Sequence, residues 1–247
     1  MSIRGKRALI IGGASGLGAA TLRAFDEAGA HCIVVDRDRS GLERLSTEIK
    51  DLEAVCGDAT EPGTAESVAA REIDIMVHTA GIDPLSATDV PKTSIEDWQA
   101  VLAVNVTSAF LFARSVLPGM IKRRSGCLLF TGSVAGLKPT PREAAYAVSK
   151  AAVIQLARAI ALDHAKDGIR ANALCPGILE AIMMDRRSAM NKPAQEARRQ
   201  AANAMVPMGR EGTYAEIARL ALMLCDEDLS SYVTGQAIVA DGGFLLA

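Results

Sequence analysis

A tyrosine and a lysine four residues apart, Tyr146 and Lys150, are the side chains in this sequence best suited to move a proton. They fall within a helix-like run at residues 144–165, where positions i and i+4 lie on one face, one turn apart. An ammonium group beside a phenol favours the phenolate and lowers the tyrosine pKa from its ordinary value of roughly 10. Such a tyrosine can take a proton from an alcohol or give one to a carbonyl. The same spacing also occurs in ordinary surface helices, so the elements around the pair must be considered.

Glycines near the amino terminus separate a short apolar run from a helix-like run. Residues 8–11 are all apolar and predict a buried strand, and a G-x-x-x-G-x-G spacing begins at Gly12. A second strand is predicted at residues 31–36 and ends in Asp36. Glycines let a backbone approach a pyrophosphate at a helix amino terminus, where unpaired N–H groups attract an anion. A strand, a glycine turn, a helix and a second strand ending in an acid predict a dinucleotide-binding unit.

Strand-like and helix-like runs alternate along the rest of the chain. Further strands are predicted near residues 53–57, 73–78, 127–131, 169–175 and 235–240. Further helices are predicted near residues 42–49, 64–71, 94–123, 144–165 and 217–224. Pro118 and Gly119 predict a break late in the third of these helices, and Thr213 with Glu216 predicts a capping box before the last. The alternation predicts a single α/β domain over residues 1–247, with a doubly wound parallel sheet and helices on both faces.

The candidate binding residues follow predicted strands. Ligands of such sheets bind beyond the carboxyl ends of the strands, so these residues are expected to meet at one rim. They are Gly12 to Gly18, Asp36, Asp58, Ala80, Gly81, Ser133, Pro176 and Gly177. Residues 178–212 form a long stretch between the predicted strand at 169–175 and the predicted helix at 217–224, and this stretch predicts a substrate lid.

Composition excludes several classes of protein. Hydrophobic residues make up 49% of the 247 residues and charged residues 23%, which predicts a large core rather than disorder. The net charge of −2 and the absence of a basic tract argue against nucleic-acid binding. No apolar run approaches the ~20 residues that cross a bilayer. Five widely spaced cysteines without ligand spacing predict neither disulfides nor a metal site, and favour a reducing compartment, the cytoplasm.

Over nearly its whole length the sequence resembles the short-chain dehydrogenase/reductase family. The residues that carry the resemblance stand in order and at the family's spacing. They are Gly12, Gly16, Gly18, Asp58, Ala80, Gly81, Asn105, Ser133, Tyr146, Lys150, Pro176, Gly177, Asp241, Gly242 and Gly243. The resemblance implies a Rossmann fold, an alcohol/ketone oxidoreductase and a homotetramer, for which the apolar helices at 94–123 and 144–165 offer surfaces.

The resemblance also implies the roles of individual residues. Tyr146 would be the general acid and base, Lys150 would lower its pKa and bind the nicotinamide ribose, and Ser133 would donate to the substrate oxygen. Asn105 would hold a water that links to Lys150. The residues expected to bind the cofactor are Gly12, Ser15, Gly16, Leu17, Gly18, Asp36, Asp58, Ala80, Gly81, Tyr146, Lys150, Pro176, Gly177 and Leu179. The cofactor is expected to be NAD, because the Asp36 carboxylate can bind ribose hydroxyls and would repel a 2′-phosphate, although Arg37 follows it.

Four positions depart from the family pattern. Ile11 replaces a usual threonine, and Ala181 replaces a threonine that usually bonds the nicotinamide carboxamide. His78 and Thr79 stand where two asparagines are usual, and His78 is expected to be structural. A finer resemblance connects the chain to type 2 3-hydroxybutyrate and 2-keto-3-deoxy sugar-acid dehydrogenases. It rests on a short segment between Asp58 and Ala80 and on arginines near the predicted site.

The arginines expected at the substrate are Arg142, Arg186 and Arg187. A guanidinium pairs with a carboxylate through two parallel hydrogen bonds, so a hydroxy acid or sugar acid is one expected substrate. Neighbouring acids could instead pair these arginines at the surface. A cyclitol, a dihydrodiol or a steroid is the alternative substrate, and a non-catalytic dinucleotide sensor is the alternative of another class.

Overall fold

A computed structural model describes residues 2–84, 88–180 and 200–247. The strands are β1 (Arg7–Ile11), β2 (His31–Asp36), β3 (Glu53–Cys56), β4 (Ile75–His78), β5 (Gly126–Thr131), β6 (Ile169–Pro176) and β7 (Ala237–Ala240). The helices are α1 (Gly16–Glu27), α2 (Arg39–Glu48), α3 (Pro62–Ala69), α4 (Ile95–Leu102), α5 (Ser108–Arg123), α6 (Ala144–His164), α7 (Tyr214–Cys225) and α8 (Glu227–Ser230).

The described strands form one parallel sheet in the order β3-β2-β1-β4-β5-β6-β7. The predicted fold class is confirmed: this is a doubly wound sheet, and its strand order reverses between β1 and β4. Such a switch point opens a crevice at the carboxyl ends of the two strands. The glycine turn after β1 and the turn after β4 therefore lie side by side.

Strand side chains alternate between two buried layers. Leu9 and Ile11 of β1 pack with α3, α5 and α6, whereas Ala8 and Ile10 pack with α1, α2 and α7. Because each face of a parallel sheet is covered by helices, β1 is apolar at every position after its first residue, Arg7. This two-sided burial holds the strand ends, and with them the predicted site, in fixed positions.

The predicted helix at 94–123 is interrupted early and not late. A π turn, Ala103–Thr107, separates α4 from α5, while α5 continues through Pro118. The predicted break was wrong. Pro118 has no N–H to donate to the Arg114 carbonyl, but both residues lie on the exposed side of α5, where water can bond that carbonyl instead. The capping box of Thr213 and Glu216 is confirmed.

Two helical stretches, Ile95–Arg123 and Ala144–Asp167, are long and apolar enough to pass a composition test for membrane spans. Both instead pack along the sheet, where Phe112 and Val153 belong to the buried core. Of the predicted lid, residues 181–199 lie outside the described residues. At its described ends Leu179 and Gly212 form a parallel bridge.

Candidate active site

Tyr146 and Lys150 lie on the first two turns of α6, facing the end of β5. The Lys150 Nζ is 5.5 Å from the centroid of the Tyr146 ring and donates to the Thr131 carbonyl at 2.8 Å. Lys150 is 3% exposed, and this burial lowers the pKa of its ammonium group from 10.5 to about 8, with Asp83 acting in the opposite direction. The lysine therefore remains mainly charged at neutral pH. The predicted phenol–ammonium pair is thus present, within one turn of helix.

Asn105 lies in the π turn and joins three elements through its side chain. Its Oδ1 accepts from the Ile82 N–H at 2.8 Å, and its Nδ2 donates to the Ile82 carbonyl at 3.0 Å and to Ser149 Oγ at 2.9 Å. Ser149 in turn donates to the Tyr146 carbonyl at 2.7 Å. π turns often occur at functional sites because they re-aim a backbone segment. Here the amide holds the loop after β4 against the helix that carries Tyr146.

Ser133 follows β5 and is 9% exposed. Its Oγ accepts a hydrogen bond from the Ala135 N–H at 3.1 Å and caps a short 3₁₀ turn, Val134–Gly136. Because the hydroxyl acts only as an acceptor in this bond, its O–H stays free to donate to an oxygen in the site. The loop after β5 and helix α6 thus bring a hydroxyl donor to the same end of the sheet as the Tyr146–Lys150 pair.

A cleft of about 340 Å³ crosses the switch point between β1 and β4. Among its lining residues are Gly12, Ser15, Gly16, Leu17, Gly18, Asp36, Asp58, Ala80, Gly81, Lys150, Pro176 and Leu179. All twelve were expected to bind the cofactor. Of the other two, Tyr146 lies on α6 beside Lys150, and Gly177 follows β6 where a Cβ would come within 2.7 Å of the Asp241 Cα.

The glycine turn leaves no room for side chains. Gly12 has a φ of +80°, and a Cβ there would lie 2.6 Å from the Ala80 Cα. A Cβ at Gly18 would lie 2.1 Å from the Gly12 carbonyl oxygen. The backbone of the turn is consequently bare at the start of α1, where N–H groups and the helix dipole favour a phosphate. These residues fit a dinucleotide.

Two acids lie along the far part of the cleft. The Asp36 carboxylate accepts from the Ala14 N–H at 2.9 Å and from the Asp38 N–H at 3.0 Å, which fixes it at the end of β2. Asp58 accepts from the N–H and hydroxyl of Thr60, both at 2.8 Å, and these bonds lower the pKa of its carboxyl group. Both carboxyl groups are therefore held in fixed positions along this part of the cleft.

His78 is buried at the end of β4, and its Nε2 lies 2.7 Å from the Ser108 Oγ. Burial, with the nearby charge of Lys150, lowers the pKa of His78 to about 3, so the ring is neutral. Because Ser108 begins α5, directly after the π turn, His78 supports the segment that carries Asn105. This agrees with the structural role expected for it.

The substrate arginines are only partly described. Arg142 is exposed two residues before α6 and has a φ of +64°. Arg186, Arg187 and Ala181 lie outside the described residues. The structure thus places Arg142 near the start of the helix that carries Tyr146.

Sequence reasoning missed Tyr214 and Thr79. Tyr214 is the first residue of α7, and its ring contacts the glycine turn, with Cζ 3.6 Å from the position of a Cβ on Gly16. Thr79 donates from Oγ1 to the Ile11 carbonyl at 2.7 Å and so connects the ends of β1 and β4. Both residues line the cleft. The position of Thr79 after β4 was a usable signal, whereas the contact of Tyr214 depends on how α7 packs beside α1.

Comparisons with known proteins show the family to which this chain belongs. A family model described as enoyl-(acyl carrier protein) reductase matches residues 12–245. The chain is 34% identical to the 3-oxoacyl-[acyl-carrier-protein] reductase of Thermotoga maritima, over 100% of both chains. It is 32% identical to the 2-keto-3-deoxy-L-fuconate dehydrogenase of Xanthomonas campestris pv. campestris, over 98% of this chain and 81% of that one.

A solved oxidoreductase of the short-chain dehydrogenase/reductase family from Burkholderia thailandensis has the same fold. It superposes with a TM-score of 0.86 and 30% identity, covering 98% of this chain and 94% of the other. Members of that family use NAD or NADP as cofactor. Sequence, fold and cleft agree, and the chain belongs to the short-chain dehydrogenase/reductase family of oxidoreductases.

Proposed function

We propose that the protein is an NAD-dependent oxidoreductase that interconverts a secondary alcohol and a ketone. The observation that supports this most strongly is the Tyr146 ring 5.5 Å from a buried, cationic Lys150 that itself lines the dinucleotide cleft. When bound, NAD accepts or returns the hydride. Tyr146 takes the hydroxyl proton of the alcohol, or returns it to the ketone oxygen, and the Lys150 charge stabilises the phenolate. Ser133 donates to the same substrate oxygen, and Asn105 keeps the loop after β4 in place.

Asp36 supports NAD rather than NADP. Its carboxylate lines the cleft at the end of β2 and is held there by two backbone N–H groups. An anion at this place accepts bonds from ribose hydroxyls and repels a 2′-phosphate. Arg37 also lines the cleft, but its charge acts on Asp58 as well as on any phosphate.

For the substrate we favour a hydroxy acid or sugar acid. Arg142 is exposed near the start of α6, and its guanidinium suits a carboxylate. One of the relatives found by comparison is named for its action on 2-keto-3-deoxy-L-fuconate. Arg186 and Arg187 remain candidates for the same role.

We further propose a cytoplasmic homotetramer. All five cysteines are free, which suits a reducing compartment, and cell fractionation tests that placement. The outer faces of α5 and α6 expose Phe110, Val148 and Leu162, with exposed fractions of 49%, 46% and 85%. Apolar side chains of this size on neighbouring helices suit a helix-pair contact between subunits. A monomer mass by light scattering at micromolar concentration would contradict the tetramer.

The proposal is tested by offering a panel of secondary alcohols and hydroxy acids with NAD and following the absorbance of reduced cofactor. Turnover that disappears in Tyr146→Phe supports the oxidoreductase. If NADH binds but no member of the panel turns over in either direction, the dinucleotide sensor becomes the better reading.

A further inference from the structure

A second cavity lies at the opposite edge of the sheet from the cofactor cleft. Its volume is about 490 Å³, and it is lined by residues at the starts of β4, β5 and β6 and at the end of α7. None of the residues expected to bind cofactor or substrate lines it. Ile75, Cys127 and Ile169 contribute from the strands, and Cys225 contributes from the helix.

Two thiols and one guanidinium converge in this cavity. Cys127 of β5 pairs in register with Arg170 of β6, so their side chains project from the same face of the sheet. Arg170 donates to the carbonyls of Leu224 at 2.9 Å and Cys225 at 3.4 Å, at the last turn of α7. The Cys127 Sγ lies 3.8 Å from the Leu224 carbonyl oxygen. The cysteine on β5 thus faces the helix end that carries Cys225.

Cys127 and Cys225 line the same cavity, and the Cys127 Sγ reaches the carbonyl of the residue before Cys225. The Cys225 thiol and the charge of Arg170 lower the pKa of Cys127 against the opposing effect of burial, whereas the Cys127 thiol and burial raise the pKa of Cys225. The other buried cysteines have no thiol partner. Burial raises the pKa of Cys32 to about 12 and that of Cys175 to about 11. A cysteine reacts through its thiolate form, so the direction of these shifts favours Cys127 as the attacking thiol of the pair.

We propose that Cys127 and Cys225 form a two-thiol oxidation site that reacts with a peroxide and closes to a disulfide. The Cys127 thiolate attacks one peroxide oxygen, the O–O bond breaks, and hydroxide leaves and takes up a proton to give water, so that Cys127 becomes a sulfenic acid. The Cys225 sulfur then attacks the Cys127 sulfur, and the sulfenic hydroxyl leaves with the Cys225 proton as a second water. In total the two thiols lose two protons and two electrons, and the peroxide becomes two waters.

The disulfide would join β5 directly to the last residue of α7. The opposite end of this helix begins at Tyr214, which contacts the glycine turn of the cofactor cleft. The modification site is therefore connected to the cleft by one continuous helix of 12 residues. The proposal does not depend on which alcohol the enzyme uses.

The test treats the folded wild-type protein with a small excess of hydrogen peroxide and measures intact mass and the peptides formed by proteolysis without reductant. The expected result is a loss of two hydrogens, about 2 Da, with one disulfide that links Cys127 to Cys225. Dithiothreitol should restore the original mass. The thiol count under denaturing conditions should fall from five to three.

Matched variants show which cysteines take part in the reaction. Cys56→Ser removes the exposed thiol and Cys32→Ser removes another buried one, and both should still form the disulfide. Cys225→Ser should stop at an oxygen adduct on Cys127. A wild-type protein that keeps five thiols, a disulfide that includes Cys56, or oxidation only to oxygen adducts would each overturn the proposal, and these readings need no variant to fold.

Discussion

Lys150 donates from Nζ to the main-chain carbonyl of Thr131, and this 2.8 Å hydrogen bond ties helix α6 to the carboxyl end of β5. The bond orients the ammonium group within the first turns of the helix, below the Tyr146 ring. It also supplies one of the few partners available to a side chain that is 3% exposed. The position of the charge is thus set by the fold, and burying that charge has an energetic cost.

Replacing Lys150 by methionine should therefore stabilise the protein while it removes activity. A pKa lowered from 10.5 to about 8 corresponds to about 3 kcal/mol against the buried charge at neutral pH. Loss of the hydrogen bond to Thr131 destabilises the variant by about 1 kcal/mol, so the free energy of unfolding should rise by about 2 kcal/mol in total. Urea denaturation of both proteins at about pH 7 gives the difference in the free energy of unfolding.

The pH dependence of this difference has a definite sign. Between pH 8 and 10.5 the unfolded chain holds the lysine proton more tightly than the folded chain, so the wild type becomes more stable as the pH rises. The extra stability of Lys150→Met over the wild type should be at its full value below pH 8 and should be smaller at about pH 9.5. Lys166→Met, at an exposed position, should show neither effect. An advantage that grows with pH would contradict a buried cation.

Gly81→Ala should slow the reaction without unfolding the protein. An added Cβ would lie 3.3 Å from the Lys150 Nζ and 3.5 Å from the Asn105 Oδ1, so the lysine must move by a few tenths of an ångström. Small displacements of catalytic groups are costly, and we expect kcat to fall on the order of tenfold. Gly63→Ala, where a Cβ meets nothing within 4 Å, is the matched control and should keep full activity. Equal kcat in the two variants would show that Gly81 does not constrain the lysine.

Much of this arrangement follows from local patterns in the sequence. The apolar run before Gly12 and the acid at the end of β2 predict the dinucleotide unit, because strand burial and glycine turns are encoded locally. The π turn at Ala103–Thr107 is different, since the apolar periodicity continues through it and conceals the extra residue. The three bonds of the Asn105 side chain were equally hidden, because they join segments far apart in the chain.

The contact of Tyr214 with the glycine turn shows the same limit. The capping box correctly predicts where α7 begins, because it depends only on residues three positions apart. Where that helix end lies depends on packing against α1, which no local pattern specifies. The resemblance to a family predicted what local patterns could not, namely that Ser133 and Asn105 act in the same site as Tyr146.

Asp36→Asn should narrow the preference for NAD over NADP. The substitution removes the negative charge but keeps an oxygen that can accept from the Ala14 N–H, so the end of β2 should keep its shape. We expect the ratio of kcat/KM values for the two cofactors to change on the order of tenfold, or about 1.4 kcal/mol. Asp89→Asn, at an exposed site outside the cleft, serves as control. A wild-type enzyme that prefers NADP would refute the assignment outright.

Arg142→Met should weaken the preference for an acid substrate. If the guanidinium binds a carboxylate, the variant should raise KM for a hydroxy acid on the order of tenfold, with little change for the methyl ester. Arg158→Met, an exposed arginine farther along α6, should leave both values unchanged. Arg186→Met and Arg187→Met extend the comparison to the remaining candidates. If acid and ester are used equally by the wild type, a neutral alcohol becomes the better substrate class.

The most direct test of the account is the rate of Tyr146→Phe. The variant keeps the ring beside Lys150 and loses only the hydroxyl that moves the proton, so NADH should bind with nearly unchanged Kd. Loss of a general acid and base typically lowers the rate by ~10²–10⁴, and we expect kcat to fall within that range. A variant that retains more than about a tenth of the wild-type kcat would show that Tyr146 is not the proton-transfer group.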